Sequence, residues 1–158
     1  MKKILALIAV SLLFFACDVE EKELPAADNI IDDPVEILEP WFRPAAKGAN
    51  TALFFNITTT LDSALILKGA ESNLAKLTEV HETYQREGDL MGMRHVDSLI
   101  IKPSSTFKFK PGAHHIMLIN LIDDLEIGDS AAVTLKFKNY EDIKIKAEVK
   151  DLTPNTQE

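Results

Sequence analysis

The chain has 158 residues, 46% of them apolar and 27% charged, which is the size of one globular domain and too little for a multidomain enzyme. Twenty-five Asp and Glu outnumber seventeen Lys and Arg, for a net charge of −8. That balance argues against nucleic acid or an anionic lipid surface as a partner.

The first sixteen residues read as a leader. Lys2 and Lys3 precede an apolar run from Ile4 to Ala16, the charged-then-apolar pattern of a secretory signal and too short for a stable membrane span. Its removal leaves fifteen basic against twenty-five acidic residues, a net charge of −10. Cys17, the only cysteine, follows Leu12-Leu13-Phe14-Phe15-Ala16. This junction resembles the lipobox of bacterial lipoproteins, with Phe14 where the pattern most often has Leu. The resemblance implies that Cys17 is acylated, becomes the new N-terminus and holds the protein in the bacterial cell envelope, with the lipid anchor as its only contact with the membrane. The mature domain then has neither a disulfide nor a thiolate ligand.

Residues 17–34 form an acidic stretch without sustained periodicity, expected to be a tether. The folded domain is expected over 35–151 and a polar tail over 152–158. Within the domain the apolar period is two. Strands are predicted at 35–39 and around Leu53, Phe55 and Ile57, where only Phe54 breaks the polar side. Others are predicted at 63–68, 76–84, 89–95, 105–110 and 114–121, with one helical turn within Ala70–Leu77. The alternation is cleanest at the end: Val133, Leu135 and Phe137, then Ile143, Ile145, Ala147 and Val149, each interleaved with Thr, Lys or Glu. Asn139-Tyr140-Glu141-Asp142 is a hairpin-length break between these two segments. Pro103, Pro111-Gly112 and Gly128-Asp129 mark further turns. Many short strands with one wet face each predict an all-β antiparallel sandwich.

Chemistry concentrates in one segment. Beyond the leader every Met (Met91, Met93, Met117) and every His (His81, His95, His114, His115) lies between residues 81 and 117. Singly, a Met is a core filler. Together, thioether and imidazole suit copper, and thioether favours soft Cu(I) over Zn(II) or hard cations. A spacing of two on a strand puts His115 and Met117 on one face and turns His114 away. Blue-copper electron transfer is excluded, because it needs a Cys thiolate.

The run from His81 to Met117 resembles the PCuAC-type periplasmic copper chaperones, whose pattern is a His with its neighbour, ten residues, a Met, twenty-one residues and His-X-Met. Here His81-Glu82 is followed by residues 83–92, Met93, residues 94–114 and His115-Ile116-Met117. Every gap fits, and the fit selects Met93 over Met91 and His115 over His114. Met93-Arg94, the Pro111-Gly112 turn and the strand Ala52-Leu53-Phe54-Phe55-Asn56-Ile57-Thr58 also resemble the family. Glu82 stands where many members carry Met. The resemblance implies a cupredoxin-like β-sandwich of Greek-key type with one Cu(I) held by His81, Met93, His115 and Met117. It also implies delivery to the binuclear copper site of a haem-copper oxidase, alongside a Sco-type partner.

Nothing in the chain points to an enzyme. His81-Glu82-Thr83-Tyr84-Gln85 lacks the second His of a zinc-protease helix, and no Gly-x-Ser-x-Gly elbow or phosphate-binding glycine loop occurs. Asp32-Asp33 and Asp123-Asp124 read as solvated charge. Two other readings use the same residues differently: copper sequestration through the same ligands, and a metal-free envelope interaction module.

Overall fold

A computed structural model of the protein describes residues 33–151. The leader, Cys17, the tether up to residue 32 and the tail from residue 152 lie outside the described residues.

The described residues contain ten strands: β1 Val35–Phe42, β2 Thr51–Thr59, β3 Leu65–Glu71, β4 Ala75–Gln85, β5 Met91–His95, β6 Leu99–Ile101, β7 Ser105–Phe109, β8 His114–Leu121, β9 Ser130–Phe137 and β10 Ile143–Val149. They join in the order β5-β4-β8-β2-β1-β10-β9-β3-β6, with β7 pairing the second half of β2. The fold is all-β, as the alternation predicts. Val133 faces Ile145 across the β9–β10 ladder and Ala131 faces Ala147, all buried, while their lysine neighbours point outward. One core cluster forms where Leu53, Ile57, Val80, Ile116 and Leu118 meet Leu65, Leu67, Val133, Leu135 and Val149, all within 1% of full burial. Each such side chain stabilises the fold by about 1.5–3 kcal/mol. At the chain's entry Asp33 accepts a hydrogen bond from the Tyr140 hydroxyl at 2.7 Å and another from the Val35 amide. The carboxylate in turn pushes the Tyr140 hydroxyl up to about 12.

Pairing is antiparallel with one exception. β1 and β10 run parallel, with Phe42 opposite Val149. The helical turn expected within Ala70–Leu77 is absent. Instead β3 runs to Glu71 and β4 starts at Ala75. The Ser72 hydroxyl accepts from the Leu74 amide and donates to the Ala132 carbonyl, which fixes a tight bend. Such local side-chain bonds compete with helix formation. β6 was not expected, because three residues are too few to show a period.

A bulge in β1 positions the outer face of the sheet. Glu39 has φ 52°, and the β1–β2 register shifts between Leu38 and Trp41. The extra residue reverses which side chains point inward. Phe42 thereby enters the core opposite Leu53, and Trp41 turns outward opposite Phe54, their rings 4.7 Å apart. That stacking is why Phe54 is buried although it lies on the polar side of its strand.

Candidate metal centre

The outer face of β5-β4-β8-β2 gathers the soft ligands. Residues directly opposite each other in a ladder share a face. His81 on β4 lies between His115 on β8 and His95 on β5, Glu79 lies opposite Met117, and Thr83 opposite Met93. Across β2, Ala52 faces Met117. His81, His115, Met117 and Met93 therefore share one surface, while Val80, Ile116 and Leu118 between them anchor its reverse in the core. The His81 and His115 rings are 6.1 Å apart. Two imidazoles on one ion, at a metal–nitrogen distance near 2.0–2.1 Å, hold their ring centres at most about 6.4 Å apart.

The hydrogen bonds decide which nitrogens are available. Glu79 can only accept, so His81 Nε2 carries the proton and donates to Glu79 Oε2 at 2.8 Å. His81 Nδ1 is left buried with no partner. An unpaired buried nitrogen costs about 1–3 kcal/mol, a cost that a ligand on Nδ1 would remove. His115 Nδ1 donates to the Ala113 carbonyl at 3.1 Å, which leaves its Nε2 lone pair open. Burial pushes the His115 imidazole below its ordinary value, so this ring is neutral at pH 7 and free to ligate. Phe54 packs 6.0 Å from the His115 ring, and the Arg43 guanidinium lies over Phe54 at 5.5 Å.

A cleft of about 230 Å³ opens beside these groups, with Met93, His115, Met117, Thr83, Phe54 and Arg43 in its wall. Among the described residues no group of three or more His, Cys, Asp and Glu is placed to hold a metal ion. The other soft donors at this cleft are the thioethers of Met93 and Met117.

The two alternatives left by composition separate in space. His114 turns to the reverse side of β8, where its ring packs 5.2 Å from Phe107 and its Nε2 lies 3.9 Å from Glu82. Met91, opposite Gln85 and 60% exposed, stands one step further out along β5 and is absent from the cleft wall. Glu82 also belongs to the reverse side. It accepts two hydrogen bonds from Arg94, which hold its carboxyl below the usual range. Its difference from Met consequently does not alter the polarity around His81. Gly92 completes this side of the β4–β5 hairpin, since a Cβ there would come within 2.8 Å of the Tyr84 ring, over which Arg94 stacks. The acid pair Asp123-Asp124 holds Lys47 from a loop.

Sequence reasoning counted His95 among the clustered histidines without giving it a place, and missed Glu79 altogether. Both carry the period-two signal, Glu79 two before His81 and His95 two after Met93. Glu79 orients the imidazole and fixes its tautomer, and such outer partners typically contribute ten- to a hundredfold to metal affinity. Glu79→Ala is therefore expected to weaken Cu(I) binding by about tenfold or more. Competition with a chromogenic chelator measures it, and an unchanged constant would show that the Glu79 bond does not matter.

Comparison with known proteins gives a consistent picture. Residues 35–149 match the family described as "Putative lipoprotein LpqE-like". The chain is similar to "Putative lipoprotein Lxx21020" of Leifsonia xyli subsp. xyli, 31% identical over 121 residues, covering 77% of this chain and 72% of that one. Its fold is similar to that of Cu(I)-bound DR1885 from Deinococcus radiodurans, with TM-score 0.60, 26% identity and coverage of 82% and 88% of the two chains. It is also similar to the copper-bound PCuAC domain from PmoF2, with TM-score 0.60, 21% identity and coverage of 73% and 92%.

Proposed function

We propose that this chain, which belongs to the LpqE-like lipoprotein family, carries Cu(I) in the bacterial envelope and delivers it to a haem-copper oxidase. The observation that carries the reading is the cross-strand pair His81 and His115, each with one nitrogen engaged and one free, on the same face as Met93 and Met117. The likeness to a Cu(I)-bound protein of the same fold supports it. Membership in a lipoprotein family supports the envelope location.

The ligand chemistry suits a carrier. Two imidazoles and two thioethers are all neutral, so a bound Cu(I) keeps its single charge and the thioethers disfavour oxidation to Cu(II). Held at an open cleft rather than in a closed thiolate cage, the ion can exchange ligands one at a time with an acceptor's thiolates. The acceptor in this reading is the binuclear copper domain of an oxidase subunit, with a Sco-type protein as a possible intermediary. The copper-bound structures of similar fold favour cargo handling over catalysis.

Deletion of the gene tests delivery against sequestration. Delivery predicts loss of oxidase activity at limiting copper and recovery when copper is added. Normal oxidase activity at low copper with sensitivity to high copper would replace delivery by sequestration.

A further inference from the structure

We propose that His95, with Met93 and His81, forms a second, outward seat for copper, through which the ion passes between the His115–Met117 side of the site and an acceptor. The inference rests on the copper reading above and adds a residue and a route to it. His95 is the direct cross-strand partner of His81 on β5, as His115 is on β8. The His81–His95 ring separation is 6.2 Å and its tilt 50°, against 6.1 Å and 50° for His81–His115. Both separations fall within the limit of about 6.4 Å for two imidazoles sharing one ion. In ring spacing and tilt His95 stands to His81 as His115 does.

The arrangement is nearly symmetric about β4. On one side His115 and Met117 are two apart on a strand, and on the other Met93 and His95 are two apart, so each side offers an imidazole and a thioether to the central His81. Asp97 Oδ1 lies 3.3 Å from His95 Nδ1, which leaves Nε2 as the outward nitrogen. What breaks the symmetry is burial. His115 is 5% exposed, whereas the His95 side chain is 46% exposed and Met93 59%, on the strand that ends the sheet. The inner seat is shielded and the outer one is open to a partner.

A stepwise path follows. His95 replaces His115 on the ion, Met117 leaves, and copper rests on His81, Met93 and His95, where an acceptor's ligand can enter. The first step exchanges one neutral donor for another, and the second releases Met117 and leaves a three-coordinate ion with a place open for the acceptor. The copper stays Cu(I), and no proton or electron moves. Because the ion is never stripped to a single ligand, the route avoids the cost of an unsolvated charge.

Two readings of the purified protein test this: equilibrium Cu(I) affinity, and the rate at which excess bicinchoninate removes Cu(I) under anaerobic conditions. His95→Ala is expected to leave affinity within about threefold and to slow removal by about tenfold or more, as a raised exchange barrier requires. His95→Met should restore the rate, since it returns a soft donor, and His95→Gln should not. In a His115→Ala background, adding His95→Ala should abolish the weakened binding that remains. Unchanged removal in His95→Ala would overturn the outer seat and leave the copper reading intact. A loss of affinity equal to that of His115→Ala would also overturn it, by making His95 a resident ligand. Wild-type protein that takes up no Cu(I) would overturn both.

Discussion

Met117→Leu and His115→Ala are each expected to lower Cu(I) affinity by more than about a hundredfold, beyond the loss typical of an outer-shell partner, while His114→Ala is expected to leave it nearly unchanged. The reasons differ at each position. Leu nearly conserves the volume of Met, and such swaps usually cost under about 1.5 kcal/mol of stability. The domain therefore stays folded and loses only the sulfur. His115 is buried beside Phe54, so truncation also opens a cavity, and a melting curve must accompany the titration to separate folding from binding. His114 sits on the reverse of the same strand, against Phe107 and Glu82. It has access to copper only if the register is wrong. Equal losses at His114 and His115, read by chelator competition on folded protein, would contradict the assignment of the face.

The second large effect is on location. Cys17→Ala is expected to move the protein from the membrane to the soluble fraction. Each buried methylene of an acyl chain contributes about 0.8 kcal/mol, and stable anchoring takes two such signals, which a diacylated Cys provides. Without it the chain has little to replace them. Among the described residues no helix is long and apolar enough to cross a membrane, and the net charge, −8 for the whole chain, is repelled by anionic headgroups. Full membrane retention of the variant in cell fractionation would reject Cys17 as the anchor.

What could be read from the sequence follows from period two. Alternation located β9 and β10, each with one face in the core and one outward, and marked β2 by its apolar Leu53, Phe55 and Ile57, whereas β5, which carries Met93, buries no side chain and has no core face to mark it. It could not supply the partners of those strands. The parallel β1–β10 pair and the bulge at Glu39 depend on contacts between residues far apart in the chain, and no local spacing records them. Phe54 was visible as an exception, and its reason lies in Trp41, turned onto the same face by that bulge. His95 and Glu79 illustrate the same limit at the site. Each stands two residues from a candidate ligand, but only the register shows that His95 is opposite His81 and that Glu79 bonds its Nε2. The helical turn expected near residue 72 failed because the Ser72 hydroxyl takes the Leu74 amide into a tight bend and ties that bend to the Ala132 carbonyl of β9.

Anaerobic titration of the mature protein with Cu(I) against a competing chelator is the most direct test of a His/Met copper site. One equivalent should bind tightly, Zn(II) should not displace it, and binding should disappear when His81 and His115 are both replaced by Ala in protein that still melts cooperatively. No uptake of Cu(I) by the wild-type protein, or uptake that survives loss of both imidazoles, would contradict it.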